Sequence, residues 1–339
     1  MVETGSKTAR QDDPRARPGL TPPTVSVVLC TEGDLSALAL SVESAREQSI
    51  RSLEILIADS SHTGRAREWL GQMRVRDRRL RVFRVPGVTT TIARNLLIKK
   101  AEAPLLAFLE EGAEWHRDKL SQQLTWHERH PSAAMSFSDV RYVDLNGEVT
   151  KHGFEDKRWL LHGLERRPRF QVLARAQARL FVDPGISLST VMARTDLMRT
   201  ARGFDALLPN AAEWDGWLKL AALGDVGCSA AALVDAPARV QRPPTMGDLR
   251  AMMTVMARYK LQVGRKDRGA IRRSRARLAL EEAAYLRATN RHPLARRAIV
   301  QAFWFDPSAV GLQQVVRALI GRDEPDRSAR DKDESSRFQ

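Results

Sequence analysis

The chain has 339 residues, enough for one large domain with an appendage or for two domains. Its hydrophobic content of 43% is ordinary for a globular protein, but the net charge of +14 is not; it favours polyanionic partners such as phosphorylated ligands, an anionic membrane surface or nucleic acid. No apolar run approaches about 18 residues, so neither a transmembrane helix nor a secretory segment is expected, and two distant cysteines, Cys30 and Cys228, argue against a disulfide framework and fit a reducing cytosol.

Residues 1–22 are polar and rich in charge, Pro and Gly, and read as a disordered arm. Val25 to Thr31 is a β-branched run, a first strand, stopped by the turn signal Glu32-Gly33-Asp34. Leu35, Leu38, Leu40, Val42 and Ala45 suit an amphipathic helix ending near Gln48-Ser49. A second strand spans Leu53 to Asp59, a helix Ala66 to Met73, and a third strand Leu80 to Val85. A helix from Thr89 to Ala101 carries Ala93-Arg94-Asn95. Strand–helix alternation at this spacing implies right-handed crossovers and parallel pairing. Asp118 to His130 reads as a helix, and Ala133 to Asp144 as a strand closing at Asn146-Gly147. Residues 150–184 show no clean period; Gly185 to Met192 reads as a strand, with helices at Thr195 to Thr200 and Glu213 to Ala221. After Pro243-Pro244 the pattern becomes helical up to residue 320, crowded with arginine between Arg265 and Arg277, and 321–339 reads as a disordered tail.

The chemistry-bearing stretch is Leu105-Leu106-Ala107-Phe108-Leu109-Glu110-Glu111-Gly112-Ala113-Glu114-Trp115. A bounded apolar run of this length suits a strand buried on both faces, and open α/β sheets bind ligands just beyond the carboxyl ends of such strands. Carboxylates at that place hold a hard cation that in turn holds phosphate oxygens; the plainer alternative is a solvated loop after a core strand.

These pieces, in this order, resemble the family 2 glycosyltransferases of GT-A fold. The resemblance rests on Ser26 to Thr31, Glu54 to Thr63, Ala93-Arg94-Asn95, Phe108 to Trp115 with Lys119-Leu120, and Gly203-Phe204-Asp205 followed by Glu213 to Leu218. It covers about Val25 to Val240 and implies an α/β fold: a GT-A type, Rossmann-like mixed sheet flanked by helices at 23–240, with a C-terminal helical appendage at 245–320. It also implies an inverting transferase that moves a sugar from a nucleotide-diphospho-sugar, most often uridine-linked, to a glycan or lipid-linked acceptor in surface polysaccharide or glycoconjugate synthesis. In that reading Thr31 and Glu32 line the base pocket and Asp59 contacts the nucleoside. Arg94, Asn95 and Glu111 lie near the nucleotide, Glu110 holds a divalent cation (Mg²⁺ or Mn²⁺), and Glu213 is the general base. The protein would work in the cytoplasm, peripherally on the inner face of the membrane, with no nucleic-acid partner.

The departures from the family pattern fall on chemistry. The Asp-x-Asp metal motif is Glu110-Glu111-Gly112, so the second acid is missing and the cation is expected to be weakly held or dispensable. Glu32-Gly33 replaces a Tyr-Asn pair, and Ala212-Glu213 replaces a Glu-Asp pair. A sugar-nucleotide-binding relative that has lost catalysis is therefore the rival reading. A basic nucleic-acid-binding protein ranks below both, because no helix-turn-helix, zinc finger or aromatic-interleaved basic strand is present.

Overall fold

The computed structural model describes residues 22–307, except positions 63, 156, 162–167, 184, 209 and 239–241. The expected tail, nearly all of the expected N-terminal arm and the stretch 308–320 lie outside the described residues.

The first half alternates strand and helix: β1 (Val25–Thr31), α1 (Leu35–Arg46), β2 (Leu53–Asp59), α2 (Gly64–Arg76), β3 (Leu80–Arg84), α3 (Thr90–Lys100) and β4 (Leu105–Glu110). The four strands pair in parallel in the order β3-β2-β1-β4, as right-handed crossovers require. Their apolar runs do not alternate because both faces are covered. Val25, Val27 and Leu29 pack with Leu38 and Val42 of α1, while Val28, Leu56 and Phe108 pack on the opposite face with Ala93 and Leu97 of α3. Asp34 caps α1 by accepting from the Ala37 N–H at 3.1 Å.

The second half is built differently. It runs β5 (Glu114–Trp115), α4 (Lys119–Arg129), β6 (Ala133–Val143), β7 (Val149–His152), α5 (Arg158–Leu161), β8 (Gln171–Val172), α6 (Ala176–Val182), β9 (Met192–Arg194), α7 (Thr195–Thr200), α8 (Ala212–Leu223) and β10 (Asp225–Pro237). All strands join one sheet in the order β3-β2-β1-β4-β9-β6-β10-β5, with β7 on β6 and β8 on β10. β9 lies antiparallel between β4 and β6, and β10 is parallel to β6, so the sheet is mixed.

Two stretches depart from the sequence reading. Gly185 to Met192 is not one strand: Leu188–Thr190 is a 3-10 turn, and pairing begins only at Met192. The Thr190 hydroxyl and N–H both donate to the Ser187 carbonyl, at 2.7 and 3.1 Å, so this Ser/Thr-rich segment satisfies its backbone locally rather than in a ladder. Conversely, β10 has 13 residues but no clean alternation, because its register against β6 shifts three times.

Three long helices complete the described chain: α9 (Met246–Lys266), α10 (Arg268–Ala288) and α11 (His292–Phe305). Ala251, Val255, Tyr259 and Val263 of α9 enter the same apolar cluster as Phe108, Phe181 and Trp217. α10 and α11 form a cluster of their own, lined by Ala276, Ala279, Ala283, Ala295, Ala298 and Ala302, whose small side chains let the helices approach closely.

α9 opens with a capping box. The Thr245 hydroxyl accepts from the Asp248 N–H, and the Asp248 carboxylate accepts from the Thr245 N–H at 2.7 Å. Burial would raise the Asp248 pKa, but bonds from the Thr245 backbone, Asn210, the Thr245 hydroxyl and Arg242 outweigh it and hold the carboxyl at about 2. A depressed carboxyl stabilises the fold above its unfolded value of about 4, and that stability is lost as pH falls through the folded value. Asp248→Asn should therefore cost about 1 kcal/mol at pH 7 and flatten the pH dependence of the melting temperature between pH 4 and 2. Thermal unfolding of both proteins across that range checks it.

Candidate functional site

The parallel strands end together, and their register builds the site. Thr31 of β1 lies opposite Asp59 of β2, Asp59 opposite Arg84 of β3, and Cys30 opposite Glu110 of β4. Each strand end therefore delivers a polar group to one line, beyond which the chain turns away.

Asp59 is buried, and both its oxygens are engaged. Oδ1 accepts from the Ser61 N–H at 2.9 Å and the Ser61 hydroxyl at 2.5 Å, and Oδ2 pairs with Arg84 at 3.0 Å. It shapes the turn after β2 and carries the Arg84 guanidinium to the strand ends. Cys30 is half-buried, and burial pushes its thiol up to about 11 despite the nearby Arg94. Cys228 is also free.

The acidic step is latched to its neighbours. Glu111 folds back onto the end of β1, where one carboxylate oxygen accepts from the Thr31 hydroxyl and the other from the Glu32 N–H at 3.1 Å. Burial, partly offset by those two donors, raises the Glu111 pKa. Gly112 adopts φ +87°, where L side chains are strained, and a Cβ there would face Ala37 and the Pro237 ring at 3.6 Å. The loop is held from below by Ser41 of α1, which sequence reasoning missed. Its buried hydroxyl accepts from the Gly112 N–H at 2.9 Å and lies 3.1 and 2.9 Å from the Glu110 and Ala113 carbonyls. The Glu110 N–H donates to the Ser189 hydroxyl of the 3-10 turn at 3.0 Å. A hydroxyl among Leu38, Val42 and Ala45 was the available signal for Ser41; nothing local marks Ser189.

A cleft of about 190 Å³ opens beyond these ends, lined by Glu110, Glu111, Tyr142, Ser187, Glu213 and Pro237. Glu213 enters it from the first turn of α8 and pairs with Arg94 of α3 at 3.1 Å, bringing together two residues that are 119 apart in sequence. The Arg94 guanidinium also lies over the Phe204 ring, 5.3 Å from its centre. Asn95 takes a supporting place. Its amide donates to the Phe204 carbonyl at 2.7 Å, and its oxygen accepts from the Phe204 N–H at 2.9 Å. A Cβ on Gly203 would fall 2.3 Å from the Asn95 oxygen, which makes that glycine obligatory.

Residues 26–188 match the family model described as Glycosyl transferase family 2. By this match the segment is similar to the family 2 glycosyltransferases. Among similar proteins, the Bacillus subtilis (strain 168) glycosyltransferase TuaG, named for teichuronic acid biosynthesis, is 30% identical over 126 residues, covering 37% of this chain and 50% of that protein. An uncharacterized glycosyltransferase of Haemophilus influenzae is 24% identical over 130 residues, covering 38% and 52%. The chain thus spans about half the length of these relatives. Solved structures with a similar fold include residues 1–349 of S. aureus TarS in complex with UDP-GlcNAc, at TM-score 0.54, 13% identity and coverage of 84% of this chain and 91% of that one. They also include the mannosyltransferase PcManGT from Pyrobaculum calidifontis in complex with GDP-Man and Mn²⁺, at TM-score 0.52, 16% identity and coverage of 89% and 80%.

The carboxylates at this cleft do not fit a preassembled divalent-cation site. Glu111 is drawn to Thr31 and Glu32, Glu213 is paired with Arg94, and Gly112 offers no donor. Among the described residues, no group of three His, Cys, Asp or Glu is placed to hold a metal ion.

The latch at Glu111 is testable. Glu111→Ala should cost about 1–3 kcal/mol, because the Thr31 hydroxyl and Glu32 N–H lose their acceptor, whereas Gln keeps an oxygen there. A raised carboxyl favours the protonated fold, so its contribution to stability falls as pH rises above the ordinary value of 4.5. Urea unfolding at pH 4.5 and 7 should show Glu111→Gln gaining on wild type at the higher pH.

Proposed function

We propose that this protein is an inverting glycosyltransferase that moves a sugar from a nucleotide-diphospho-sugar, UDP-linked, to a glycan or lipid-linked acceptor in surface polysaccharide or glycoconjugate synthesis. The observation that supports the reading is the cleft at the end of β4, where Glu110 of the segment that matches the family 2 model faces Glu213, which pairs with Arg94 behind it. A sugar hydroxyl is a poor nucleophile, and a positioned carboxylate that takes its proton makes it a competent one. Glu213 is that carboxylate. The acceptor oxygen bonds to the anomeric carbon as the bond from that carbon to the diphosphate oxygen breaks on the opposite face, and the proton passes to Glu213. The leaving diphosphate gathers negative charge, which the Arg94 guanidinium stabilises.

The Arg94–Glu213 pair sets the cation proposed for the leaving diphosphate and the base proposed for the acceptor hydroxyl 3.1 Å apart. The bound ligands of the two structural neighbours make UDP-GlcNAc and GDP-Man the first donors to screen.

A second reading, a sugar-nucleotide-binding protein without transfer, is favoured by one observation: Gly112 stands where the family carries an acid. The two readings part at Glu213. In an enzyme, Glu213→Gln should lower UDP release from UDP-GlcNAc by about 100- to 10,000-fold while calorimetric UDP affinity stays within about threefold. A variant as active as wild type removes Glu213 from the chemistry, and a wild type that binds UDP without turnover supports the second reading.

A divalent cation is proposed to bind weakly and only with nucleotide, through Glu110 and the phosphate oxygens. Calorimetry with Mn²⁺ alone should show no micromolar site, and adding Mn²⁺ should raise UDP affinity only modestly. Micromolar Mn²⁺ binding by the nucleotide-free protein overturns this.

Among the described residues no helix is long and apolar enough to cross a membrane. Attachment to an anionic cytoplasmic leaflet is supported by the corner of α10 and α11, where exposed Trp304 adjoins Phe305, which is held by Arg272 and Arg275.

A further inference from the structure

Asp215 lies two residues after Glu213 in the first turn of α8, and it is fully buried. At about 100° per residue the two side chains leave the helix on nearly opposite sides, Glu213 into the cleft and Asp215 into the core against α9. Three groups grip the buried carboxylate. Arg258 Nη1 donates to Oδ1 at 2.6 Å and the Tyr259 hydroxyl donates to the same oxygen at 2.9 Å. Lys219 Nζ lies 2.7 Å from Oδ2, out of line for a hydrogen bond, and acts there as a neighbouring charge. Arg258 Nη2 reaches Asp205 at 3.1 Å, so one guanidinium ties the turn before α8 to the start of α8.

That grip adds polar anchorage to a first turn otherwise held by the burial of Ala212 and Trp214 in the core. Ala211 at its N-cap supplies no side-chain bond. On the opposite side the Trp214 indole N–H donates to the Leu180 carbonyl at 2.8 Å. The rotation and depth of the first turn are therefore set between α6 and α9, and with them the place of the Glu213 carboxylate against Arg94.

We infer that Arg258 and Tyr259 of α9 are positioning residues for Glu213, acting through Asp215. The inference adds the C-terminal helices to the machinery of the reaction and rests, for its catalytic consequence, on the reading of Glu213 as base. Arg258 is 39% exposed on its side chain, and Lys219 stays beside Asp215, so an Arg258 variant keeps one counter-charge and should fold.

The test uses the full chain and Arg258→Ala, Arg258→Lys and Tyr259→Phe variants, with two independent readouts. The first is amide hydrogen exchange. Arg258→Ala should speed exchange in residues 211–217 by about tenfold or more, with β1 to β4 unchanged within about twofold. The second is UDP release from UDP-GlcNAc. Arg258→Ala should lower kcat by about 10- to 100-fold, as a misplaced base does, while KM for the donor stays within about threefold. Arg258→Lys should recover part of the loss, and Tyr259→Phe should lose less. Unchanged exchange at 211–217, or uniform loosening of the whole sheet, overturns the inference. So does a rise in KM with kcat intact. If wild type and Glu213→Gln are equally inactive, the base reading fails, and the exchange result alone decides whether α9 sets the position of Glu213.

Discussion

The hydroxyl of Ser41 is buried between α1 and the loop that follows β4, within hydrogen-bonding distance of three backbone groups of that loop. A loop that crosses the end of a buried strand must satisfy its amides without water, and an unmet group there costs as much as a lost hydrogen bond. Ser41 meets that need for Gly112, the Thr31 hydroxyl and Glu32 N–H meet it for the Glu111 carboxylate, and Ser189 meets it for the Glu110 N–H. The acidic step is therefore held by α1, by β1 and by the turn before β9 at once. The cleft inherits its shape from these contacts.

Behind the cleft the same economy extends to a buried amine. Lys119 is fully buried, and burial pushes its pKa well below the ordinary lysine value. Its amine donates to Gln123 at 2.7 Å and lies 4.3 Å from the centre of the Trp115 ring. Gln123 passes the connection on to the Ser136 hydroxyl at 3.1 Å and the Thr190 carbonyl at 3.0 Å, while the Trp115 indole N–H donates to the Ser189 carbonyl at 2.8 Å. The 3-10 turn that supports Glu110 is thus itself supported from the second half of the sheet. A network of this kind is stable only when each member is satisfied, which accounts for the polar residues packed under an apolar sheet.

The parallel half of the fold was legible because its signals are local. Bounded apolar runs, turn residues and caps placed β1 to β4 and their helices close to where they lie, and the strand ends followed from that. The second half was less legible because its structure depends on distant partners. β10 hides its period in three register shifts, and Leu188–Thr190 bonds to itself where the pattern suggested a strand. At the site, the positions of Glu110, Arg94 and Glu213 were readable as motif residues, and the structure sets Glu110 and Glu213 on one cleft with Arg94 paired to Glu213. Their partners were not readable. That Glu111 turns to Thr31, that Asn95 braces the Phe204 turn and that Asp59 is spent on Ser61 and Arg84 are tertiary facts with no periodic trace.

The burial of Asp215 bears on how such domains can be recombined. GT-A sheets and C-terminal helices look like exchangeable modules when drawn as strands and cylinders, with the junction at Pro243-Pro244 as the obvious splice point. Here the splice would cut through an electrostatic unit: the carboxylate lies on one side, and Arg258 and Tyr259 lie on the other. Removing partners from a buried charge costs several kcal/mol, on the order of 3–5 when none remains. A chimera that keeps residues 25–237 and imports foreign helices keeps Lys219 beside the carboxylate. It recovers the two lost hydrogen bonds only if the new helices deliver a guanidinium and a phenol to the same point in space, which sets a chemical rule for which helical modules this sheet can carry.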